Sequence, residues 1–300
     1  MPEPTTLDTA PSGPVDAFQA ERRYLGSIAY RLLGSVADAE DVLQEAWLRW
    51  QSADRSGIAE PRAYLTTVVT RLCYDQLGSA RARREAYFGE WLPEPLLTTE
   101  DSPAELAEVG EAVSVAMLAV MEQLSPAERA AFVLHDVFAV GFEEIASALD
   151  RSPEATRQLA SRARRRVRDG GRRSTVDPAE HRQVVTAFIS AATGGDLAAL
   201  MDVLDPEVAW HSDGGGIVSA GRRPVLGAIH VGRLVRKLSQ RFMGPEHPLV
   251  PALVNGELGA VWYAEPGVIG GVVAFTVADG RITAAYAMVN PEKLAHLSGA

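Results

Sequence analysis

Residues 142–168, FEEIASALDRSPEATRQLASRARRRVR, decide how the chain reads. Phe142, Ile145, Ala146 and Leu149 fall at i, i+3, i+4 and i+7, one apolar helix face. Ser152 is a good N-cap, and Pro153 follows at the first helical position, where its missing N–H costs nothing. Projecting the second helix at ~100° per residue turns Ala155, Leu159, Ala163 and Val167 inward. Arg157, Ser161, Arg164, Arg165 and Arg168 turn outward. A short helix, a tight turn and an arginine-loaded helix are the means by which a helix-turn-helix delivers a recognition helix to the major groove of DNA. The competing reading is a solvated arginine-rich face of a helical bundle. Upstream, Ser125-Pro126-Ala127-Glu128 is a capping box that predicts a helix through Phe138, broken by Gly141.

The formal net charge of −10 argues at first against a nucleic-acid binder, but its distribution removes the objection. Residues 85–128 hold ten Asp and Glu and no Lys or Arg, as much negative charge as the whole chain. Residues 151–173 hold nine Arg against Glu154 and Asp169, or 9 − 2 = +7. The local patch, not the total, meets phosphate.

The remaining composition is that of a chain long enough for two or three domains with sizeable cores. One cysteine, Cys73, allows neither an internal disulfide nor a cysteine metal cluster, and is expected as a small buried residue. No metal and no cofactor are expected. Residues 1–16 read as a polar, Pro-rich disordered tail and not as a signal peptide. The apolar run near 259–277 is interrupted by Glu265, Pro266 and several Gly, so it reads as two strands and a turn and not a membrane span. A cytoplasmic location is expected.

Residues 17–85 read as helical. A first helix covers Phe18 to Leu33 and stops at Gly34; Asp38 is placed to cap a second that runs through Trp50. The second turns Ala39, Val42, Leu43, Ala46 and Trp50 inward and Asp41, Gln44, Trp47 and Leu48 outward. A large apolar pair among charges suits a protein partner; packing of Trp47 on another helix of the same domain accounts for it equally well. Pro61 opens a third helix, 61–77, which leads to a basic cluster at Arg81, Arg83 and Arg84. Residues 86–110 read as an acidic linker containing WLPEP, which two prolines keep non-helical and charge keeps solvated. The helix-turn-helix unit occupies 111–171.

Residues 178–297 read as an α+β domain. Two helices come first, and a further helix fits 223–241. Strands are predicted at 208–212, 249–254, 258–264, 268–278 and 281–289, as an antiparallel meander with hairpin turns at Asn255-Gly256 and Asp279-Gly280. His211 and Asp213, two apart on a strand, point to one face. Alone they form no acid–base site, and a structural His with a turn-forming Asp is the plainer reading.

The segments DAEDVLQEAWLRW (38–50), PRAYLTTVVTRLCYDQL (61–77) and 124–167, with their spacing, resemble the two domains of extracytoplasmic-function sigma factors. The last third resembles a SnoaL-like, NTF2-like cone, and WLPEP (91–95), DGGG (213–216) and NPEKL (290–294) resemble signatures of the sigma-factor group that carries such a domain. The implied fold is multidomain: two all-α sigma domains, the second a helix-turn-helix, followed by an α+β cone.

The resemblance also implies partners and residues. Core RNA polymerase would meet Asp41, Gln44, Trp47 and Leu48. Promoter DNA would meet Tyr64, Arg71, Tyr74, Arg81, Arg83 and Arg84 at the minus-ten element, with Tyr64 equally well read as a core residue; the family often has Asn where this chain has Arg71. Thr156, Arg157, Gln158 and Ser161 would reach bases of the minus-thirty-five element, with Arg164, Arg165 and Arg168 on phosphate. Trp91, Pro93, Asp213, Gly214, Asn290, Pro291 and Lys293 would make regulatory contacts, joining DGGG and NPEKL to the connector. A small ligand in the cone is a further class of partner. Two other readings stay open from the residues: a one-component regulator with a ligand-binding cone, and an isomerase or cyclase with a DNA-binding appendage.

Overall fold

The computed structural model describes residues 14–85, 87–98, 113–170, 176–242, 244 and 247–297, with backbone alone at 14, 79–85, 98 and 169–170. Helices α1 (Pro14–Leu33), α2 (Val36–Ser52) and α3 (Pro61–Glu85) form the first unit. The second contains α4 (Val115–Met121), α5 (Pro126–Phe132), α6 (Phe142–Leu149) and α7 (Pro153–Gly170). The two units share one apolar cluster: Leu25, Ile28, Leu43, Trp50, Leu65 and Val69 pack with Leu118, Met121, Phe132, Ile145 and Leu149.

Local chemistry explains most of the helix ends. The cap of α2 is Ser35, whose hydroxyl accepts from the Asp38 amide at 3.2 Å. Asp38 itself lies inside the helix and accepts from Gln76 Nε2 at 2.9 Å, which corrects its expected capping role. Both reciprocal bonds of the Ser125–Glu128 capping box are present. The helix they open continues past Phe132 as a π-helical stretch, Val133–Val137.

The C-terminal unit starts with α8 (Pro178–Gly194) and α9 (Leu197–Val203), then β2 (Leu204–Asp213), β3 (Val225–Leu226) and α10 (Ala228–Phe242). Strands β4 (Leu249–Val254), β5 (Glu257–Glu265), β6 (Val268–Ala278) and β7 (Arg281–Met288) follow, and α11 (Pro291–Leu294) with a 3-10 turn at Ala295–Leu297 closes the order. Neighbouring members of the series β4 to β7 pair antiparallel. Asn255 and Gly256 take φ of 51° and 82°, the two left-handed residues a tight hairpin turn requires. The meander is not the whole sheet, however. β2 lies parallel to β7, so the sheet is mixed. The long path through β3, α10 and the three strands β4 to β6 supplies the crossover that parallel pairing needs.

Helices α8, α9 and α10 cover one face through Phe188, Leu200, Val231 and Val235. On the other, Val254, Val261, Val272, Ala274 and Met288 pack with Leu92, Val115 and Leu294. The expectation of a solvated linker is therefore corrected over residues 92–95: Leu92 is 4% and Glu94 9% exposed, and Pro93 and Pro95 are buried. Residues 99–110 of that linker lie outside the described residues. Acidic average composition hides a local W-L-P-P-L set whose prolines hold the chain extended for burial. The same segment ends in β1 (Leu97–Thr98), which adds an antiparallel strand to β4 with Leu97 opposite Val254.

Candidate nucleic-acid interface and connector clamp

The second helix of the turn, α7, exposes Arg157, Gln158, Ser161, Arg165 and Arg168 and half-buries Arg164. Several of its arginines already have carboxylate neighbours. Arg157 lies 3.1 Å from Glu143, Arg164 2.5 Å from Asp136, and Arg166 2.7 Å from Glu128. Burial pushes the Glu128 carboxyl up, but two hydrogen bonds from Ser125 and the nearby Arg166 and Arg162 outweigh it and hold the group below the usual range. Thr156 corrects the sequence reading. It is 0% exposed, and its hydroxyl donates back to the Ser152 carbonyl at 3.0 Å. The helix is rotated so that Thr156, Leu159, Ala160, Ala163 and Val167 form the buried stripe, while Ala155 sits at its margin. A base cannot reach Thr156 in this arrangement.

Of the residues expected to work on a melted strand, Arg71 and Tyr74 face the helix-turn-helix unit. Arg71 donates Nη2 to the Ser147 carbonyl of α6 at 2.9 Å. Tyr74 is half-buried against the cluster formed by Ala127, Ala131, Leu159 and Ala160. Tyr64 packs on Trp50 with ring centroids 5.7 Å apart. Arg81, Arg83 and Arg84 lie in the last turns of α3, and their side chains fall outside the described residues. On α2, Asp41, Gln44 and Leu48 are exposed. Trp47 is half-buried and leans on Phe18 at 5.1 Å, the intradomain packing weighed above.

The connector is held by the other group of expected residues. Asp213 is 0% exposed and accepts four hydrogen bonds, from the Tyr87 hydroxyl (2.7 Å), the Leu92 amide (2.9 Å), Lys293 Nζ (2.7 Å) and the Gly215 amide (3.0 Å). Lys293 also donates to the Leu92 carbonyl at 2.6 Å and sits 3.9 Å from the Trp91 ring centroid. The Leu92 residue is thus gripped at both its N–H and its C=O. Asn290 caps α11, which begins at Pro291, and donates Nδ2 to the Tyr87 hydroxyl at 2.8 Å. Burial and the hydrogen bond to Asp213 push the Tyr87 phenol well above its ordinary pKa. Gly214 turns the chain at the end of β2, its carbonyl accepting from the Ile217 and Val218 amides. Gly215 has φ +62°, and a Cβ there would lie 2.3 Å from Asn290 Nδ2, so this position of DGGG excludes a side chain.

Residues to which the sequence reading assigned no such contact complete the clamp. Glu94 accepts from the Val36 amide at 2.6 Å, at the start of α2. The Tyr30 hydroxyl of α1 donates to the Glu94 carbonyl and accepts from Asn255 Nδ2, at 2.7 and 2.9 Å. Asn255 Oδ1 accepts from the Leu96 amide at 3.0 Å. Arg129, 2% exposed in side chain, reaches from α5 to the Arg31 carbonyl at 3.2 and 3.3 Å and pairs with Glu122. His211, rather than facing a pocket, places Nδ1 2.9 Å from Glu90 and stacks on Tyr286. The space between connector and sheet, lined by Leu92, Pro93, Pro95, Val254, Tyr286 and Met288, is about 10 Å³. That is room for about one water.

Comparison with known proteins agrees with this architecture. Residues 17–83 match the family model of Sigma-70 region 2, and residues 114–167 that of Sigma-70, region 4. The chain is 46% identical over 292 residues to the ECF RNA polymerase sigma factor SigJ of Mycobacterium tuberculosis, covering 93% of this chain and 92% of that one. It is 35% identical over 281 residues to the probable ECF RNA polymerase sigma factor SigI of the same species, with 93% of each covered. The crystal structure of M. tuberculosis SigJ superposes with a TM-score of 0.77 at 43% identity, covering 94% of this chain and 98% of that one. Among the described residues no helix is long and apolar enough to cross a membrane. Two sigma domains in this order, a recognition helix and relatives that match nearly end to end make the chain a member of the extracytoplasmic-function RNA polymerase sigma factors, alternative initiation factors of transcription, with a SnoaL-like domain fused at its C-terminus.

Proposed function

We propose that the C-terminal domain regulates initiation in cis by holding the connector, and with it the relative placement of the two sigma domains. The grip of Asp213 and Lys293 on Leu92 carries this reading. The same connector reaches the start of α2 through Glu94, so one short segment ties the sheet to the first helical unit. While it is held, Tyr74 is half-buried against the helix-turn-helix unit, and the exposed Arg71 is tied to that unit by its hydrogen bond to Ser147. Opening the clamp would free both for a single strand.

On this reading core RNA polymerase binds the outward face of α2 through Asp41, Gln44 and Leu48, with the half-buried Trp47 at its margin. Arg157, Gln158 and Ser161 read the upstream promoter element, and Arg164, Arg165 and Arg168 hold phosphate. Arg71, Tyr74 and the basic end of α3, with Arg81, Arg83 and Arg84, serve the downstream element after release. His211 and Asp213 support the connector instead of carrying out acid–base chemistry.

Run-off transcription with purified core polymerase tests the regulatory claim. Lys293→Ala and deletion of 291–300 are each expected to raise promoter-specific output at limiting protein. Output equal to that of the intact chain for both variants would reject regulation through the clamp.

A further inference from the structure

Residues 214–245 contain Arg222, Arg223, Arg233, Arg236, Lys237 and Arg241 and no Asp or Glu, in a chain whose net charge is −10. Four of these six line α10. Val231, Val235 and Ser239 are buried on one side of this helix, and Arg233, Arg236, Lys237 and Arg241 are exposed on the other. Their spacing of i, i+3, i+4 and i+8 keeps them on one face.

The contrast with the recognition helix is informative. Arg157, Arg162, Arg164 and Arg166 of α7 each have a carboxylate within 4 Å. The four cations of α10 have none among the described residues; Arg241 makes a ring contact with its neighbour Phe242. Like charges gathered without counter-charge repel one another, which an anionic partner relieves.

From Arg233 to Arg241 the helix rises about 12 Å at ~1.5 Å per residue, close to the ~12 Å width of the B-DNA major groove. Its two ends can therefore approach phosphates on opposite sides of that groove. Between the cations the outer face presents Gln240, and the exposed Ile229 and Phe242 lie at the two ends of the helix and form no continuous apolar strip between the charges, so the stretch 233–241 suits a polyanion.

We infer that the exposed face of α10 is a third DNA-binding surface, which grips the phosphate backbone of duplex promoter DNA independently of sequence. The fused domain then contributes affinity to the promoter complex as well as control. This goes beyond the clamp, since none of the four residues touches the connector.

The test uses the full chain assembled with core polymerase on promoter duplex. Binding is measured against salt for the intact protein and for the combined Arg233→Ala, Arg236→Ala, Lys237→Ala and Arg241→Ala variant. Every phosphate that one of these cations neutralises steepens the fall of log K with log salt by about 0.9. The variant is therefore expected to show a slope shallower by roughly 2 to 4, equally on two unrelated promoters. An unchanged slope overturns the inference. A second arm places a photo-crosslinker at Arg236→Cys. Cys73, the chain's one other cysteine, is fully buried, so the label reports from position 236. Cross-linking to DNA supports the surface; cross-linking to polymerase alone, or to nothing, overturns it. Lys293→Ala, measured in parallel, reports on the clamp separately, so either idea can fail without the other.

Discussion

The recognition helix and the connector treat charge in opposite ways. On α7 the arginines stay at or near the surface; Arg162 and Arg166 share the buried Glu128, while Arg157 and Glu143, 49% and 72% exposed in side chain, form a loosely held pair. Such pairs contribute at most about 1 kcal/mol and exchange readily for phosphate. In the connector clamp Asp213 and Lys293 are 0% and 9% exposed in side chain, and their remaining hydrogen-bonding capacity is taken up by Leu92, Tyr87 and Gly215. Buried ions so satisfied set geometry, and losing one leaves the other stranded. One region is arranged for a partner to take over its charges, the other for its charges to stay where they are.

Substitutions can break that contrast at graded cost. The largest effect is expected at Lys293→Ala, which strands a buried carboxylate and should cost about 3–5 kcal/mol in urea unfolding. Trp91, beside the ammonium, supplies a fluorescence reading of the same event. A cost below about 1 kcal/mol would mean the pair is solvated. Leu92→Ala removes apolar packing but leaves both backbone hydrogen bonds, and should cost about 2–4 kcal/mol by thermal unfolding.

A smaller effect is expected from pH. His181 is 5% exposed with Nε2 3.3 Å from the Phe275 carbonyl, and burial lowers its pKa below 6.5. The unfolded chain takes up a proton near pH ~6.5 while the folded one resists, so stability holds above that value. It falls as pH drops from about 6.5 toward the lowered folded pKa. Urea midpoints at pH ~7.5 and ~5.5 should differ in that direction, and His181→Gln should shrink the difference. The smallest stability effect belongs to the exposed Arg165→Ala, within about 0.5 kcal/mol of the intact chain. Its promoter affinity should nonetheless weaken and its salt slope fall by about 0.9, as for one phosphate. A large drop in stability there would mean that the residue is structural.

The sequence exposed some features and concealed others for identifiable reasons. The face of α6 was visible because Ile145, Ala146 and Leu149 keep helical spacing and are all buried. Asn255-Gly256 was visible as a turn, since its backbone demand is local, but the reach of the Asn255 side chain to Tyr30 and Leu96 is a tertiary fact with no local mark. Thr156 was misjudged because a threonine near a helix start can face a base or bond its own preceding turn, and projection separates the two by a few tens of degrees. The cap of α2 was shifted by three residues because Ser35 and Asp38 both have capping chemistry. Averaged charge hid the apolar character of 91–97. The mixed sheet was hidden because pairing direction depends on what lies between strands, and β2 reads alike beside a parallel or an antiparallel neighbour.

The pairing of Leu97 with Val254 has a consequence for how the protein is made. A ribosome completes both sigma domains long before it reaches the strand that pairs with β1. From the end of α7 at Gly170 to Val254 the gap is 254 − 170 = 84 residues, or about 4–17 s at the usual elongation rate of roughly 5–20 residues per second. During that interval the nascent chain carries both sigma domains without the domain that holds the connector, so under the proposed regulation each newly made molecule passes through an unrestrained stage.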